Sequence, residues 1–600
     1  MNARRRGHSA VLVAALLLAD CGGRAPAARA VHAAAAARSA AISIVPQPRG
    51  LQRTGGTFIW PARVRLDAGE GAAAATQQLR AFLAANGVFS NGDASAYPVA
   101  LRVAPHRELR LGDEGYALDV GADGVVLRAN APAGLLYGVQ TLVQLCERRG
   151  GTLVSPAASV VDWPEYRWRG LQLDAARHFF PVAVIKRTLD VAARYKLNTF
   201  QWHLTDDQAW RLPLSRYPHL GARTPQYSPA EMRAVVAYAR QRFITIVPEI
   251  EMPAHAAATL RAYPSLACAG GTLCTTGAGL AFARTALDRT FALFPGRVVH
   301  VGGDEVPAVA RGAQPAFTAM LASLAAAHGR RIAGWDDFAS TTTPRSAIVT
   351  VWTDRRVAPR LARRGYDVVL ASGALYFDAV QGDAAQEPRG SPHMVTLENV
   401  YDDEPLAAGF GASSRHLLGV QANLWTEHVA TEQRLFAMLL PRTLALAEIA
   451  WSPRSVKRWD GFVARLPAQF AWLDAHGYPF RVPNVSFTVD GASAFTAIPS
   501  HVQDVDAWTS RGGVTIRLSV PIRDAVIRYT TDGSAPSAAS RAYRVPLRMI
   551  VGTVPLTVRA AAFHRSGRGA ASSCTVRNVA PDALQRIVHP SSSWASLVSP

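Results

Sequence analysis

RGLQLDAARHFFP (169–181), NTFQWHLTDDQAWRL (198–212), FITIVPEIEMPAH (243–255) and RVVHVGGDEV (297–306) share one layout: a short apolar run, then charged groups at its C-terminal end. Four more runs follow, RIAGWDD (331–337), AIVTVW (347–352), DVVLAS (367–372) and LLGVQANLW (417–425). Helical patterns such as PVAVIKRTLDVAARYK (181–196) and SPAEMRAVVAYARQR (228–242) lie between them. Apolar runs alternating with helices imply a parallel sheet, and eight such units predict a closed (β/α)8 barrel. A doubly wound open sheet is the alternative; it normally carries a phosphate-cradling glycine loop after its first strand, and RGLQLDAAR is not one.

Working outward, residues 42–165 mix alternating strands (VRLDAG, YALDV, GVVLRA) with two helices ended by Gly, which predicts a small α+β domain. The barrel is expected over 166–480. From 485 to 580 alternation in VTIRLSV, AVIRYTT and LTVRAAAF, with the turn Asp532-Gly533, predicts a β-sandwich. Residues 581–600 form a tail. At the other end, Arg4–Arg6 precede an apolar stretch over 10–19 that is too short to span a bilayer, the pattern of an export leader within 1–30. Cys21 is a candidate lipidation site, although Asp20 stands where a small residue is usual. Cleavage after Ala28-Arg29-Ala30 is the alternative. An Ala-rich linker covers 31–41. Both readings place the mature protein outside the cytoplasm, in the periplasm or anchored at the outer membrane of a Gram-negative cell.

The chain has 600 residues, 49% hydrophobic and 18% charged, which is globular composition. Its net charge of +20 invites a nucleic-acid reading, but the arginines are scattered and no nucleic-acid motif is present, so none is expected as partner. Of the 5 Cys, Cys268 and Cys274 bracket a Gly/Thr-rich loop and are a candidate disulfide, with two free thiols as the alternative.

In a barrel every strand end faces one rim, where active sites are built. That rim would collect Asp174, Arg177, Asp206, Asp207, Glu249, Glu251, Asp304, Glu305, Trp335, Trp352, Tyr376, Asp378, Trp425 and Glu427. Carboxylates among aromatics suit carbohydrate: sugar faces stack on Trp, and hydroxyls pair with Asp, Glu and Arg. Asp174 with Arg177 reads as a structural ion pair, and His203 as a packing residue. Glu249, Glu251 and His255 match no recognised metal-ligand set, so no metal is expected.

HVGGDEV (300–306) resembles the signature of glycoside hydrolase family 20, the β-N-acetylhexosaminidases, as do RGLQLDAARHFFP, NTFQWHLTDDQAWRL, VPEIEMPAH (247–255) and GVQANLWTE (419–427). The segment from Gly115 to Leu145 resembles the family's accessory domain, and IRYTTDGSAPS the sandwich of bacterial chitobiases. The resemblance implies release of terminal N-acetylhexosamine from an amino-sugar oligosaccharide or glycan, with the substrate's own acetamide as nucleophile and no cofactor. Asp304 would orient the acetamide and Glu305 would be the acid and then the base. Tyr376, Trp335 and Trp352 would form the acetyl pocket, Trp425 would stack under the ring, and Asp378 would contact the sugar. Arg169 and Glu427 would hold distal hydroxyls, and His255 with Asp206 or Asp207 would support Glu305. Ala254 and Glu251 depart from the family pattern. The rival from another class is an exported, non-catalytic carbohydrate-binding protein.

Overall fold

The computed structural model describes residues 42–90, 97–103, 109–382, 384–496 and 504–588. Cys21, the leader, the linker and the last residues of the tail lie outside them. Eight strands close into a barrel: β1 (Trp168–Asp174), β2 (Thr199–His203), β3 (Thr245–Glu249), β4 (Val298–His300), β5 (Arg331–Trp335), β6 (Ile348–Val351), β7 (Asp367–Leu370) and β8 (Leu417–Leu424). Each pairs in parallel with its neighbours in chain order, and β8 pairs with β1. These are the eight runs of the sequence, and closure excludes the open doubly wound sheet.

The strands are buried on both faces, every residue of β1 and β8 included, with partnered polar groups such as Gln201 and Gln421 among the apolar ones. The helices begin where the chain supplies a start signal. Helix Pro229–Arg240 has Pro at its first position and a capping box, the Ser228 hydroxyl accepting from Glu231 N–H while the Glu231 carboxylate accepts from Ser228 N–H. Trp168, Val247, Ala333, Ile348, Val369 and Leu418, one from each of six strands, form a small apolar cluster apart from the main core. Beside it runs a polar chain: Trp168 donates to Gln421, Gln421 to Gln201 and Gln201 to Glu249. Buried polar groups are tolerated when partnered in this way.

The N-terminal domain is a mixed seven-stranded sheet with helices Ala73–Ala85 and Pro132–Leu145. It is tied to the barrel through buried charge. Asp162 accepts from Tyr116 OH (2.7 Å), Trp451 Nε1 (2.9 Å) and Lys196 Nζ (3.2 Å). After the barrel, helix Trp459–Ala475 leads to two sheets of three and seven strands, the C-terminal β-sandwich. Among the described residues no helix is long and apolar enough to cross a membrane.

Candidate active site

The site grows from the end of β4. Pairing continues past His300 through Val301 N–H to the Ala333 carbonyl (2.9 Å) and Trp335 N–H to the Gly302 carbonyl (2.9 Å). The chain then turns through Gly302 (φ 65°) and Gly303 (φ 90°), backbone that suits glycine. A Cβ at Gly302 would fall 1.8 Å from a Glu251 carboxylate oxygen, and that carboxylate accepts the Gly303 N–H at 2.9 Å. The two glycines therefore make room for Glu251.

This turn delivers Asp304 and Glu305 to different surroundings. Asp304 is largely buried and its Oδ1 has no hydrogen-bond partner. Burial is the main cause that pushes its carboxyl up to about 6, opposed by His255 and assisted by Glu249. The Glu305 side chain is 60% exposed and reaches into open space above the rim. His255 lies beside both, Nε2 at 3.3 Å from Glu305 Oε2 and 3.8 Å from Asp304 Oδ2. Its Nδ1 faces Asp206 (3.4 Å) and Asp207 (3.8 Å). Burial lowers the imidazole's basicity, but the Asp206 hydrogen bond and the charges of Asp304 and Asp206 outweigh it and raise the group to about 9.

His203 is part of this network and is not merely packed, contrary to the sequence expectation. Its Nε2 bonds Asp206 Oδ2 at 2.8 Å, and its Nδ1 stands 2.7 Å from Glu249 Oε2. Burial opposes its charge, yet Glu249 and Asp206 together raise it to about 10. Glu249 also accepts from Trp335 Nε1 (2.9 Å) and Gln201 Nε2 (2.9 Å) and lies 3.0 Å from His300 Nδ1. Glu251, with fewer donors, is pushed well above the usual carboxylate range by burial and by Asp304 and Glu249. The sets His203–Glu249–Glu251 and Asp206–Asp207–His255 are close enough to ligate a metal. Within them His203 Nδ1 faces Glu249, His255 Nδ1 faces Asp206, and Asp207 Oδ1 accepts from Ala257 N–H (2.9 Å).

Around this core stand the aromatics. Trp335 is fully buried, with Trp425 at 5.7 Å between ring centroids. Trp352 is half-buried and donates Nε1–H to Asp337 (2.8 Å). Tyr376 lies beside it, its hydroxyl donating to the Trp352 carbonyl and not pointed to a free position. Asp378 follows, with one carboxylate oxygen unpartnered and its carboxyl raised by burial.

Arg169 is the residue that sequence reading misplaced. It stands at the N-terminal end of β1, away from the rim, and is fully buried. Its guanidinium grips Glu114 through two bonds (2.7 and 2.9 Å) and the Lys196 carbonyl (2.8 Å), joining the N-terminal domain to the barrel. Arg169 therefore cannot reach a sugar hydroxyl. Arg177, three residues beyond β1, stands at the rim instead. It lies 2.8 Å from Asp206, 3.5 Å from Asp174 and 3.6 Å from Glu427, with its Cζ 5.0 Å over the Trp425 ring. Its position after the strand was the available signal, since the rim lies beyond strand ends.

Cys268 and Cys274 are bonded, closing the hairpin Ala267–Cys268/Thr272–Leu273. Leu273 N–H donates to the Pro253 carbonyl (2.8 Å), and a Cβ at Gly270 would lie 3.0 Å from Pro307 Cβ. The clip thus touches the segment before His255 and the segment after Glu305.

Residues 166–454 match the catalytic domain of glycosyl hydrolase family 20, residues 41–163 match domain 2 of that family, and residues 506–574 match the chitobiase/β-hexosaminidase C-terminal domain. A β-N-acetylhexosaminidase of Cellulomonas fimi is 34% identical over 66% of this chain and 86% of its own. A β-hexosaminidase of Porphyromonas gingivalis is 33% identical over 75% of this chain, which spans 63% of that relative's length. The structure of a family 20 exo-β-N-acetylglucosaminidase from Vibrio harveyi, in complex with N-acetylglucosamine, superposes with a TM-score of 0.67 at 27% identity, covering 73% of this chain and 78% of that one. Accessory domain, barrel and sandwich in this order, with the Asp304–Glu305 turn at the end of β4, place the chain in glycosyl hydrolase family 20.

Proposed function

We propose that the protein is a retaining exo-β-N-acetylhexosaminidase acting on terminal N-acetylglucosamine or N-acetylgalactosamine of chitooligosaccharides or glycans. The observation that carries this reading is the division of labour at one turn: a buried Asp304 with an unpartnered oxygen beside an exposed Glu305 reached by His255. Glycoside cleavage needs a proton for the leaving oxygen and a partner for the cationic C1. Here the substrate's acetamide oxygen attacks C1 as the C1–O bond breaks, and Glu305 gives its proton to the departing oxygen. The resulting oxazolinium carries positive charge on its N–H, which the Asp304 carboxylate accepts as a hydrogen bond in a desolvated place where charge acts strongly. Glu305, now a carboxylate, takes a proton from the water that attacks C1, and ring opening restores the acetamide.

The remaining residues bind. Trp425 offers a face to the sugar ring, Trp335 and Trp352 wall the acetyl group, and Arg177, Asp378 and Glu427 take the hydroxyls. Tyr376 exchanges the Trp352 carbonyl for the acetamide oxygen when substrate enters. Export from the cytoplasm, with or without acylation of Cys21, completes the reading and suits a polymeric substrate. Proton NMR of early hydrolysis products tests the stereochemistry: the β-anomer appearing first supports retention, and the α-anomer appearing first contradicts it.

A further inference from the structure

The seam between the barrel and the C-terminal sandwich holds a cavity of about 310 Å3. Its walls carry three guanidiniums, Arg434, Arg481 and Arg568, and one carboxylate, Glu387. That carboxylate is already engaged. Its Oε1 accepts from Arg481 Nε (2.9 Å) and Nη2 (2.5 Å), and its Oε2 from the Gln381 N–H (2.9 Å). Arg434 is half-buried and gives Nη2 to the Pro388 and Arg389 carbonyls, at 2.9 and 3.4 Å. Its Nε is buried without an acceptor, and its nearest opposite charge is the Glu387 carboxylate that Arg481 already holds. Among the described residues the Arg568 guanidinium, exposed on the sandwich wall, stands 5.7 Å from the centre of the Phe563 ring and forms no ion pair.

Glu387, the one carboxylate on these walls, acts on both Arg481 and Arg434, so the half-buried space holds more positive charge than negative, which is unfavourable. Water relieves the unmet N–H but not the charge. A planar anion relieves both, because a guanidinium fork matches a carboxylate or sulfate. Two of the cavity's lining residues also lie close in sequence to residues of the proposed sugar site. Gln381 is three residues from Asp378 and Thr431 four from Glu427, so extended chain places them within about 11 and 14 Å.

We propose that this seam is a second binding site, for a carboxylate or sulfate group presented free in solution or on a sugar. Calorimetric titration of the full chain with methyl β-glucuronide, sodium sulfate and neutral methyl β-glucoside tests it. Saturable binding of an anion is expected, weakened by high salt and roughly tenfold weaker in Arg434→Gln and in Arg568→Gln. The glucoside should give no saturable heat. Tighter glucuronide assigns the sugar-borne group, and tighter sulfate the free anion. Arg568 is exposed, so its variant folds and keeps the test valid. The site is refuted if neither anion saturates, or if both variants bind as the parent does. Binding is read without turnover, so the outcome does not depend on the hydrolase reading.

Discussion

His255 Nε2 stands 3.3 Å from Glu305 Oε2, and both residues hold left-handed backbone, at φ 48° and 49°. Such conformations in non-glycine residues cost on the order of 1–3 kcal/mol each and persist only where surroundings enforce them. Around them stand the clip's Leu273 N–H bond to the Pro253 carbonyl, Asp206 beside His255, and the Glu251–Gly303 bond.

The contact makes His255 the residue that holds Glu305 in its proton-transfer geometry. His255→Asn should lower kcat by about tenfold to a hundredfold, with a smaller change in KM. The basic limb of kcat/KM, expected near the imidazole's value of about 9, should move in the variant. A pH–rate series for both proteins is the check.

Asp304 carries a pH signature of its own. Its carboxyl is raised to about 6 in the folded chain, against about 3.9 in the unfolded one. A raised carboxyl contributes stability that is full below the unfolded value and lost as pH rises through 6. Above that the ionised group costs on the order of 3 kcal/mol. Asp304→Asn should therefore raise Tm at neutral pH but not at pH about 4. It should also lower kcat roughly a hundredfold to a thousandfold and abolish the acid limb of kcat/KM. Thermal melts at both pH values, with the rate profile, decide it.

The two arginines of the first motif should separate cleanly. Arg177→Lys loses the fork shared by Asp206, Asp174 and Glu427 and should raise KM, with Tm little changed. Arg169→Met leaves Glu114 without its guanidinium and should cost about 3 kcal/mol of stability. Denaturant melts and Michaelis constants for the two variants give the comparison.

His203 should behave as a bracket. His203→Gln removes the cation between Glu249 and Asp206 and leaves two buried carboxylates facing each other. A loss of about 3 kcal/mol is expected, together with reduced kcat. Combining it with His255→Asn should give less than the sum of the two effects on kcat, as coupled residues do.

Much of this was legible in the chain. The eight runs announced the barrel because both faces of each strand are buried and the turn residues between them are polar. Carboxylates and tryptophans at strand ends announced the rim for the same geometric reason. Arg169 was misread because the motif RGLQLDAAR contains two arginines, and only the strand's direction tells which end faces the rim. His203 was misread because a histidine inside an apolar strand looks like packing; its partners Glu249 and Asp206 come from a neighbouring strand and a following loop. The glycine pair was recognised, but its clash partner Glu251 lies 51 residues away from Gly302 in sequence and only the fold brings them together.

The central claim is that the substrate's acetamide does the work of a nucleophile beside Asp304 and Glu305. The most direct measurement compares kcat/KM for an aryl N-acetyl-β-glucosaminide and the matching aryl β-glucoside, in the parent protein and in Glu305→Gln. The account predicts turnover of the N-acetyl substrate alone, and its loss in the variant when the leaving group requires protonation. Equal cleavage of the plain glucoside, or a variant as active as the parent, would contradict it.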